Sequence, residues 1–209
     1  MKYTSSLVKL NVDERLKKAR EDALSRGVPV CEDETLQLLL LTVQMSKAER
    51  VLEIGTAVGL SASALLLSNE KMRVTTIELE EERYLEAKEN FEKFGVADRV
   101  AAYLGDAGEI LAMMSGEFDF VFMDGPKAQY EKYLFDVKRL LKQGGVIFAD
   151  DVLLFGWVDG KEETPQKRRS IVEKIRSYLD VVTSDKQLLT SVLDVGDGVA
   201  LSILQEKNQ

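Results

Sequence analysis

Histidine is absent from the 209 residues of this chain, and cysteine occurs once, as Cys31. A single cysteine excludes an internal disulfide, and the lack of histidine removes the usual proton shuttle and the commonest zinc ligand. Any chemistry at this protein's sites must therefore use carboxylates, lysine, tyrosine or a bound ion.

Proline and long apolar runs are also scarce. The three prolines stand alone at positions 29, 126 and 165, and we find no internal repeat, low-complexity tract or Pro/Gly-rich linker. No apolar run reaches the roughly 18 residues that a membrane span requires, and the first twenty residues lack the apolar core of a secretory signal. We therefore expect a cytoplasmic protein that does not enter a membrane.

Positive charge is the minority sign, with 28 Lys and Arg against 36 Asp and Glu and a net charge of -8. This balance argues against a broadly basic surface for nucleic acids, although a local basic patch can exist on an acidic body. The composition alone leaves the partner open.

The hydrophobic pattern predicts two helices at the start, over residues 11–26 and 33–45. From residue 50, short β-rich runs alternate with helical segments; these runs are RVLEI, RVTTIE, RVAAYL, FDFVFMD and VIFAD. Such alternation is typical of a parallel sheet with crossover helices, and it predicts a doubly wound α/β fold.

After residue 150 the pattern changes. An irregular stretch to Glu163 is followed by a predicted helix over residues 165–179 and by two strand-like runs that meet at Gly196-Asp197-Gly198. An Asp-Gly pair between apolar alternations predicts a hairpin. We expect one domain over residues 1–209, with N-terminal helices in residues 1–46 and the catalytic core in residues 47–209.

A glycine-containing loop, VLEIGTAVGLSASALL, joins the first predicted strand to a helix. Gly55 and Gly59 can let the backbone turn tightly and approach a ligand, or can serve the turn alone. Glu78 ends the next strand, where its carboxylate can accept hydrogen bonds from ribose hydroxyls. The loop therefore predicts a nucleoside site.

The loop lacks phosphate-binding features. Its spacing differs from G-x-G-x-x-G, and no G-K-[ST] follows. Glu53 would repel a pyrophosphate but can attract the cationic end of S-adenosylmethionine (SAM). Ser61 can cap the helix or bond the cofactor's carboxylate; the cap is preferred, and the two roles can coexist. Asp106 and Ala107 are expected where an adenine can bind, unless Asp106 only caps a helix.

Carboxylates end two further strands, in FMDG and FADD. The carboxyl ends of parallel strands share one edge of a sheet, so Asp124, Asp150 and Asp151 should meet beside the glycine loop unless they merely cap loops. Clustered carboxylates repel one another without a cation, and an all-oxygen set favours Mg²⁺, Mn²⁺ or Ca²⁺. Lys127 is either a base with a pKa lowered by that ion or an exposed lysine at a helix start.

At these residues the sequence resembles the cation-dependent O-methyltransferases, the group of the catechol and caffeoyl-CoA enzymes. The resemblance lies in LEIGTAVGLSA, GDAGEIL, FDFVFMDGPKAQY and GGVIFADDVLLFG, and it extends from about residue 30 to the end. It implies a seven-stranded, mostly parallel sheet with a C-terminal antiparallel hairpin, and a homodimer. The family usually has Asp-Asn where this chain has Asp150-Asp151.

The resemblance also implies roles for particular residues. Asp124, Asp150 and Asp151 would bind a divalent metal, and Lys127 would be the catalytic base. The cofactor residues would be Glu53, Gly55, Thr56, Gly59, Ser61, Glu78, Asp106, Ala107 and Asp124.

The C-terminal part is most similar to bacterial enzymes that methylate 5-hydroxyuridine at the tRNA wobble position to give 5-methoxyuridine. Its PQKRRSIVEKIRSYLD segment holds a basic cluster that can contact phosphates or form a solvated helix face: Lys167, Arg168, Arg169, Lys174 and Arg176.

Three other functions stay open. A small-molecule catechol or caffeoyl-CoA-type O-methyltransferase would share every catalytic residue. A nicotinamide oxidoreductase is disfavoured by the glycine spacing and by Glu53. A non-catalytic cofactor sensor would leave Lys127 and the aspartates without a role.

Overall fold

Seven strands form one sheet in the computed structural model of the protein, which describes residues 5–205. The predicted domain limits at residues 1 and 209 lie outside this range. The strands are β1 (Arg50–Ile54), β2 (Arg73–Glu78), β3 (Val100–Leu104), β4 (Phe118–Met123), β5 (Leu141–Ala149), β6 (Leu188–Leu193) and β7 (Val199–Leu204).

The sheet order is β3-β2-β1-β4-β5-β7-β6. Strands β1 to β5 run parallel, while β7 pairs antiparallel with both β5 and β6. The predicted α/β fold, a doubly wound, mostly parallel sheet with a C-terminal antiparallel hairpin, is confirmed. The order reverses direction between β1 and β4, which is where ligands bind in such sheets.

Seven helices pack around this sheet in the described part of the chain. They are α1 (Glu14–Ser25), α2 (Asp33–Ser46), α3 (Leu60–Ser68), α4 (Glu81–Phe94), α5 (Ala107–Met113), α6 (Tyr130–Leu140) and α7 (Arg169–Ser184). None of the described helices combines the length and the apolarity needed to cross a bilayer.

The apolar core lies in two layers, because successive strand residues point to opposite faces of the sheet. Leu52 and Ile54 pack with residues of α5, α6 and α7 on one face. Val51 packs with residues of α1 to α4 on the other. Burial on both faces explains why the central strands are almost continuously apolar.

Some element ends differ from the sequence prediction. Helix α1 begins at Glu14 rather than residue 11, because the side chain of Asp13 accepts a hydrogen bond from the Arg15 backbone N–H at 2.8 Å and caps the helix there. Strand β5 begins at Leu141, within the segment predicted as helix, because Leu141 pairs with Phe118 before a register shift.

The last helix also differs. A 3₁₀ turn over Gln166–Arg168 precedes α7, which continues to Ser184, five residues beyond the predicted end at residue 179. Val182 is buried in the additional turn, so tertiary packing extends the helix beyond its predicted end.

Candidate active site

A cavity of about 520 Å³ opens at the carboxyl edge of the parallel strands. The predicted site residues that line it are Gly55, Thr56, Ser61, Glu78, Asp106, Ala107, Asp124, Lys127, Asp150 and Asp151. Glu53 and Gly59, also predicted, lie outside the lining. The loops after β1 to β5 thus bring most of the candidate residues to one cavity.

Gly55 brings the cofactor loop against the end of β4. It adopts φ +99°, and a Cβ atom there would lie 2.5 Å from the backbone oxygen of Asp124. The glycine therefore allows backbone to approach backbone. Gly59 has a different neighbour, since a Cβ at that position would lie 2.7 Å from the Phe91 ring in α4.

Glu78 is held by three backbone N–H groups. Its Oε2 accepts from Ala57 at 2.7 Å, and its Oε1 accepts from Leu79 and Glu80 at 2.9 Å each. A carboxylate has about four acceptor positions, so the remaining capacity lies on Oε2. The side chain is therefore fixed in place while one acceptor position stays available to a ligand.

Glu53 is fully buried and lies outside the cavity lining, but its carboxylate is hydrogen-bonded to Ser61, which does line the cavity. Ser61 Oγ donates to Glu53 Oε1 at 2.6 Å, and Thr76 Oγ1 donates to Glu53 Oε2 at 2.6 Å. Burial raises the pKa of Glu53 to about 7, although both hydrogen bonds lower it. Any effect of Glu53 on a ligand in the cavity would therefore pass through neighbouring hydroxyls such as that of Ser61.

The preferred capping role of Ser61 is wrong. Helix α3 begins at Leu60, with Gly59 at the N-cap position and no side-chain cap. The proton of Ser61 goes to Glu53 instead. By contrast, Asp106 does cap a helix, since its Oδ1 accepts from the Glu109 backbone N–H at 3.1 Å while the residue also lines the cavity.

Lys127 lies between two of the aspartates. Its Nζ is 2.6 Å from Asp124 Oδ1 and 2.9 Å from Asp151 Oδ2, and its side chain is 15% exposed. The alternative of an exposed lysine at a helix start is therefore wrong. The side chain points into the cavity from the 3₁₀ turn Lys127–Gln129.

The three aspartates and Lys127 perturb one another strongly. Burial, then the charges of Asp124 and Asp151, raises the pKa of Asp150 well above its usual value. Burial alone would lower the pKa of Lys127, but Tyr130, Asp124 and Asp151 raise it well above the usual range. This direction is opposite to the one a base needs, and the expected lowering depends on a cation that neutralises the carboxylates.

The donor chemistry of this cluster fits a hard cation. Three carboxylates from two neighbouring strand ends converge on a region where Lys127 supplies the neighbouring positive charge. Among residues 5–205, no group of three or more His, Cys, Asp or Glu side chains already has a metal-holding arrangement. Binding of a cation by Asp124 and Asp151 therefore competes with their ion pairs to Lys127.

The backbone at Asp151 is left-handed, with φ +57°. Asp and Asn tolerate this region far better than other non-glycine residues. Its N–H also donates to Asp150 Oδ1 at 2.8 Å. The local backbone thus accepts either Asp or the Asn that the resembling family usually has.

Sequence reasoning missed several residues of the cavity: Cys31, Glu32, Arg83, Tyr133 and Asp197. Glu32 and Asp197 lie in segments that the pattern explained as a helix start and a hairpin turn. Burial, then the charges of Asp197 and Asp151, raises the pKa of Glu32. These two residues make the wall beside Asp151 more acidic than the motifs indicate.

Tyr130 joins the two strand ends that carry the aspartates. Its fully buried hydroxyl lies 2.8 Å from the backbone oxygen of Met123 and 3.2 Å from that of Asp150. Its ring packs edge-to-face against Tyr178 of α7. Tyr130, the last residue of the FDFVFMDGPKAQY motif, therefore holds together the backbone segments that carry the aspartates.

The basic cluster divides into two parts. Arg176 donates to the backbone oxygens of Val158 and Trp157, at 3.0 and 3.3 Å, and so holds the irregular segment after β5. The other members are exposed and form no ion pair with any described residue: Lys167, Arg168, Arg169 and Lys174. Three of them are consecutive at the start of α7, Lys167 to Arg169, and Lys174 lies further along the helix.

Comparison with known proteins identifies similar chains. The model of the O-methyltransferase family matches residues 4–205. The chain is 32% identical to a caffeoyl-CoA O-methyltransferase of Populus kitakamiensis, over 90% of this chain and 85% of that one. It is 31% identical to tapetum-specific methyltransferase 1 of Arabidopsis thaliana, with the same coverage of 90% and 85%.

Solved structures of O-methyltransferases are also similar to this chain. A putative caffeoyl-CoA O-methyltransferase from Staphylococcus aureus superposes with a TM-score of 0.86 at 30% identity, covering 92% of this chain and 93% of that one. The O-methyltransferase TomG from Streptomyces achromogenes, solved in complex with SAM, superposes with a TM-score of 0.82 at 27% identity, covering 98% and 95%.

Proposed function

This chain belongs to the O-methyltransferase family, and on that premise we propose that it transfers the methyl group of SAM to a hydroxyl oxygen with a divalent cation held by Asp124, Asp150 and Asp151. The observation that carries the proposal is the opening of the glycine loop and the aspartate-lysine cluster onto one cavity. A methyl donor bound at the loop and an acceptor bound at the cluster would be adjacent, as in-line transfer between two bound substrates requires.

The cofactor side of the cavity fits an adenosine with a cationic tail. Glu78 keeps an acceptor position for a ribose hydroxyl, and Ala107 and Asp106 offer a wall for the adenine. Ser61 follows the glycine loop and the backbone of Asp124 lies against Gly55, and the amino-acid part of SAM would bind beside these two residues. The absence of a phosphate-binding motif agrees with this ligand.

On the acceptor side, Asp124, Asp150 and Asp151 would hold Mg²⁺, Mn²⁺ or Ca²⁺. Such an ion, when bound, lowers the pKa of a nearby hydroxyl. Lys127, released from its two ion pairs and having first lost one proton to solvent, would then accept the hydroxyl proton at its neutral Nζ. The acceptor oxygen then forms a bond to the methyl carbon as the bond from that carbon to the sulfonium sulfur breaks.

The role of Lys127 is tested with two variants. Lys127→Ala should lose turnover by about 10²-fold or more, as loss of a general base does, yet still bind S-adenosylhomocysteine. Lys127→Arg keeps a positive charge beside Asp124 and Asp151 but cannot give up its proton, so it should be equally slow. Turnover near that of the wild type in either variant contradicts the role of Lys127 as base.

The cation is tested separately. Treatment with EDTA should abolish methyl transfer, and added Mg²⁺ or Mn²⁺ should restore it. Lys132→Ala, at an exposed position of α6, serves as the matched control and should respond to EDTA as the wild type does. Full activity of metal-stripped enzyme would reject the metal mechanism while leaving the methyltransferase assignment intact.

For the acceptor, we propose 5-hydroxyuridine at the tRNA wobble position. The exposed basic residues at the start of α7 support this choice, because side chains that form no ion pair within residues 5–205 are available to phosphates. Nucleoside mass spectrometry of tRNA from a strain that lacks the gene should show loss of 5-methoxyuridine. Restoration by the wild-type gene but not by the Lys127→Ala gene would tie the loss to this site.

A small catechol or caffeoyl-type hydroxyl compound is the second candidate. The caffeoyl-CoA enzyme of Populus kitakamiensis is among its relatives, and the acidic side chains of Glu32 and Asp197 beside Asp151 favour an acceptor whose reacting end carries no phosphate. Purified enzyme supplied with hydroxyuridine-containing tRNA, catechol and caffeoyl-CoA in parallel separates the candidates. Turnover of a small acceptor without turnover of tRNA would replace the first candidate by the second.

A further inference from the structure

Strands β4 and β5 end at the point where they carry the aspartates. Strand β4 ends at Met123 and β5 at Ala149, and the N–H of Asp150 still donates to the Met123 oxygen at 3.0 Å. Neither chain continues as a strand beyond this bond, since a 3₁₀ turn, Lys127–Gln129, follows β4 and an irregular segment follows β5. The sheet ladder therefore does not extend to the residues that would hold a cation.

The hydroxyl of Tyr130 lies where this ladder stops. It is 2.8 Å from the Met123 oxygen and 3.2 Å from the Asp150 backbone oxygen, and the residue is 0% exposed. Burial raises the pKa of Tyr130 well above its usual value, so the hydroxyl keeps its proton. Backbone oxygens only accept, and Tyr130 is therefore the donor to both strand ends, with Met123 the nearer acceptor.

We infer that Tyr130 is a positioning residue for the cation, because its hydroxyl holds the backbone of Met123 to that of Asp150 and so sets the spacing of the Asp124 and Asp150 carboxylates. The inference rests on the proposed function. Oxygen ligands must lie within about 2.0–2.6 Å of Mg²⁺, Mn²⁺ or Ca²⁺, and an aspartate side chain is too short to compensate for a displaced backbone. Tyr130 would thus act on cation affinity without touching the ion.

Tyr178 provides a matched comparison for this hydroxyl. Its ring packs edge-to-face on that of Tyr130, with centroids 5.5 Å apart, and it is also 0% exposed. Within residues 5–205, however, the Tyr178 hydroxyl has no hydrogen-bond partner. Two buried tyrosines therefore share one packing site, and the hydroxyl of Tyr130 alone joins the strand ends that carry the aspartates.

The test is a Mn²⁺ titration of the protein followed by the electron paramagnetic resonance signal of the free ion, which does not depend on methyl transfer. Tyr130→Phe keeps the ring and loses the donor, and it should bind Mn²⁺ about tenfold more weakly, as loss of an outer-shell partner does. Tyr178→Phe loses a hydroxyl from the same ring pair and should stay within about twofold of the wild type. A role in packing alone would give the two variants equal affinity.

A rescue variant places 4-aminophenylalanine at position 130. Its amine keeps a donor on the same ring and should restore most of the affinity for Mn²⁺. Unchanged binding by Tyr130→Phe, or an equal loss in Tyr178→Phe, overturns the inference.

If Tyr130→Phe does not fold, the amine variant decides the question. Binding near that of the wild type supports the inference, and a folded amine variant that binds as weakly as about tenfold below the wild type overturns it. A wild type that binds no Mn²⁺ would defeat the proposed metal mechanism and this inference with it. Wild-type binding without an effect of Tyr130→Phe would defeat the inference alone.

Discussion

At the scale of single residues, the site places carboxylates where water cannot solvate them. Glu53 and Asp150 are 0% and 2% exposed, and burial raises the pKa of both. A buried charge costs folding free energy unless hydrogen bonds or a cation offset it. Without a ligand, these buried carboxylates therefore lower the free energy of unfolding of the protein.

Glu53 allows that cost to be measured. Its pKa is raised from 4.5 to about 7, so between these values the folded state binds a proton that the unfolded state has lost. Stability therefore falls as pH rises through this window and is lower by roughly 3 kcal/mol above it. Glu53→Gln has no such proton, and in urea titrations it should be more stable than the wild type at pH 8.

The control for Glu53→Gln is the same comparison at about pH 4.5, where the advantage should disappear because Glu53 is protonated in the folded state and carries little charge penalty. Other buried acids are common to both proteins and cancel in the difference. A pH-independent stability difference between the two would show that Glu53 does not titrate in this range.

Asp151 combines a candidate ligand role with a left-handed backbone, at φ +57°. Asp151→Ala should lose about 1 kcal/mol from backbone strain, whereas Asp151→Asn should not. Urea unfolding in EDTA measures this term without a cation. Equal stability of the two variants would show that the backbone at position 151 relaxes when the side chain is changed.

At the scale of elements, the site consists of strand ends and the loops that follow them. The motifs predicted this placement correctly, because carboxyl ends of parallel strands lie at one edge whatever the details of packing. The sequence could not predict which loop would approach which strand. Gly55 against Asp124 and Gly59 against Phe91 are contacts between segments distant in sequence, and a glycine does not show its neighbour in advance.

Gly55→Ala should therefore disturb both halves of the cavity. A Cβ atom 2.5 Å from the Asp124 oxygen forces the loop and the end of β4 apart, so we expect a loss of about 1–3 kcal/mol in stability, as in overpacked cores, together with weaker binding of S-adenosylhomocysteine. Gly95→Ala is the matched control, since it has φ +71° and no atom within 4 Å of its Cβ position. A Gly95→Ala loss as large as that of Gly55→Ala would assign the effect to backbone strain alone.

Hydroxyl roles were harder to predict than element positions. The pattern placed Ser61 near a helix start, where capping is common, yet the hydrogen bond to Glu53 crosses from α3 to β1. Thr76 carried no sequence signal, because a threonine in a strand is ordinary. Roles of this kind depend on tertiary neighbours, and the sequence indicates only that a donor is present.

At the scale of the whole molecule, charge is unevenly distributed. The chain has a net charge of -8, and acids concentrate in the cavity while exposed basic residues gather at the start of α7. The net charge alone was compatible with a local basic patch but could not show where in the chain it lies. The expected homodimer and the cytoplasmic location stay predictions, because they concern partners and surroundings rather than this fold.

The basic patch is tested by its salt dependence. The triple variant Lys167→Ala, Arg168→Ala and Arg169→Ala should bind tRNA more weakly and reduce the slope of log affinity against log salt by up to about three, close to one for each lost phosphate contact. Its activity on a free hydroxyl compound should not change. The matched control replaces Lys71, Lys93 and Lys132, which are exposed elsewhere; an equal reduction there would indicate a nonspecific charge effect.

The contact between Gly55 and Asp124 has a thermodynamic consequence. Because the nucleoside loop rests directly on the backbone of a candidate cation ligand, a shift of either segment moves the other. Occupancy of one half of the cavity should then alter the affinity of the other half, and linkage requires the effect to be reciprocal and equal in free energy. Binding of the cofactor and binding of the cation would therefore be coupled, because Gly55 has no side chain to separate the loop from Asp124.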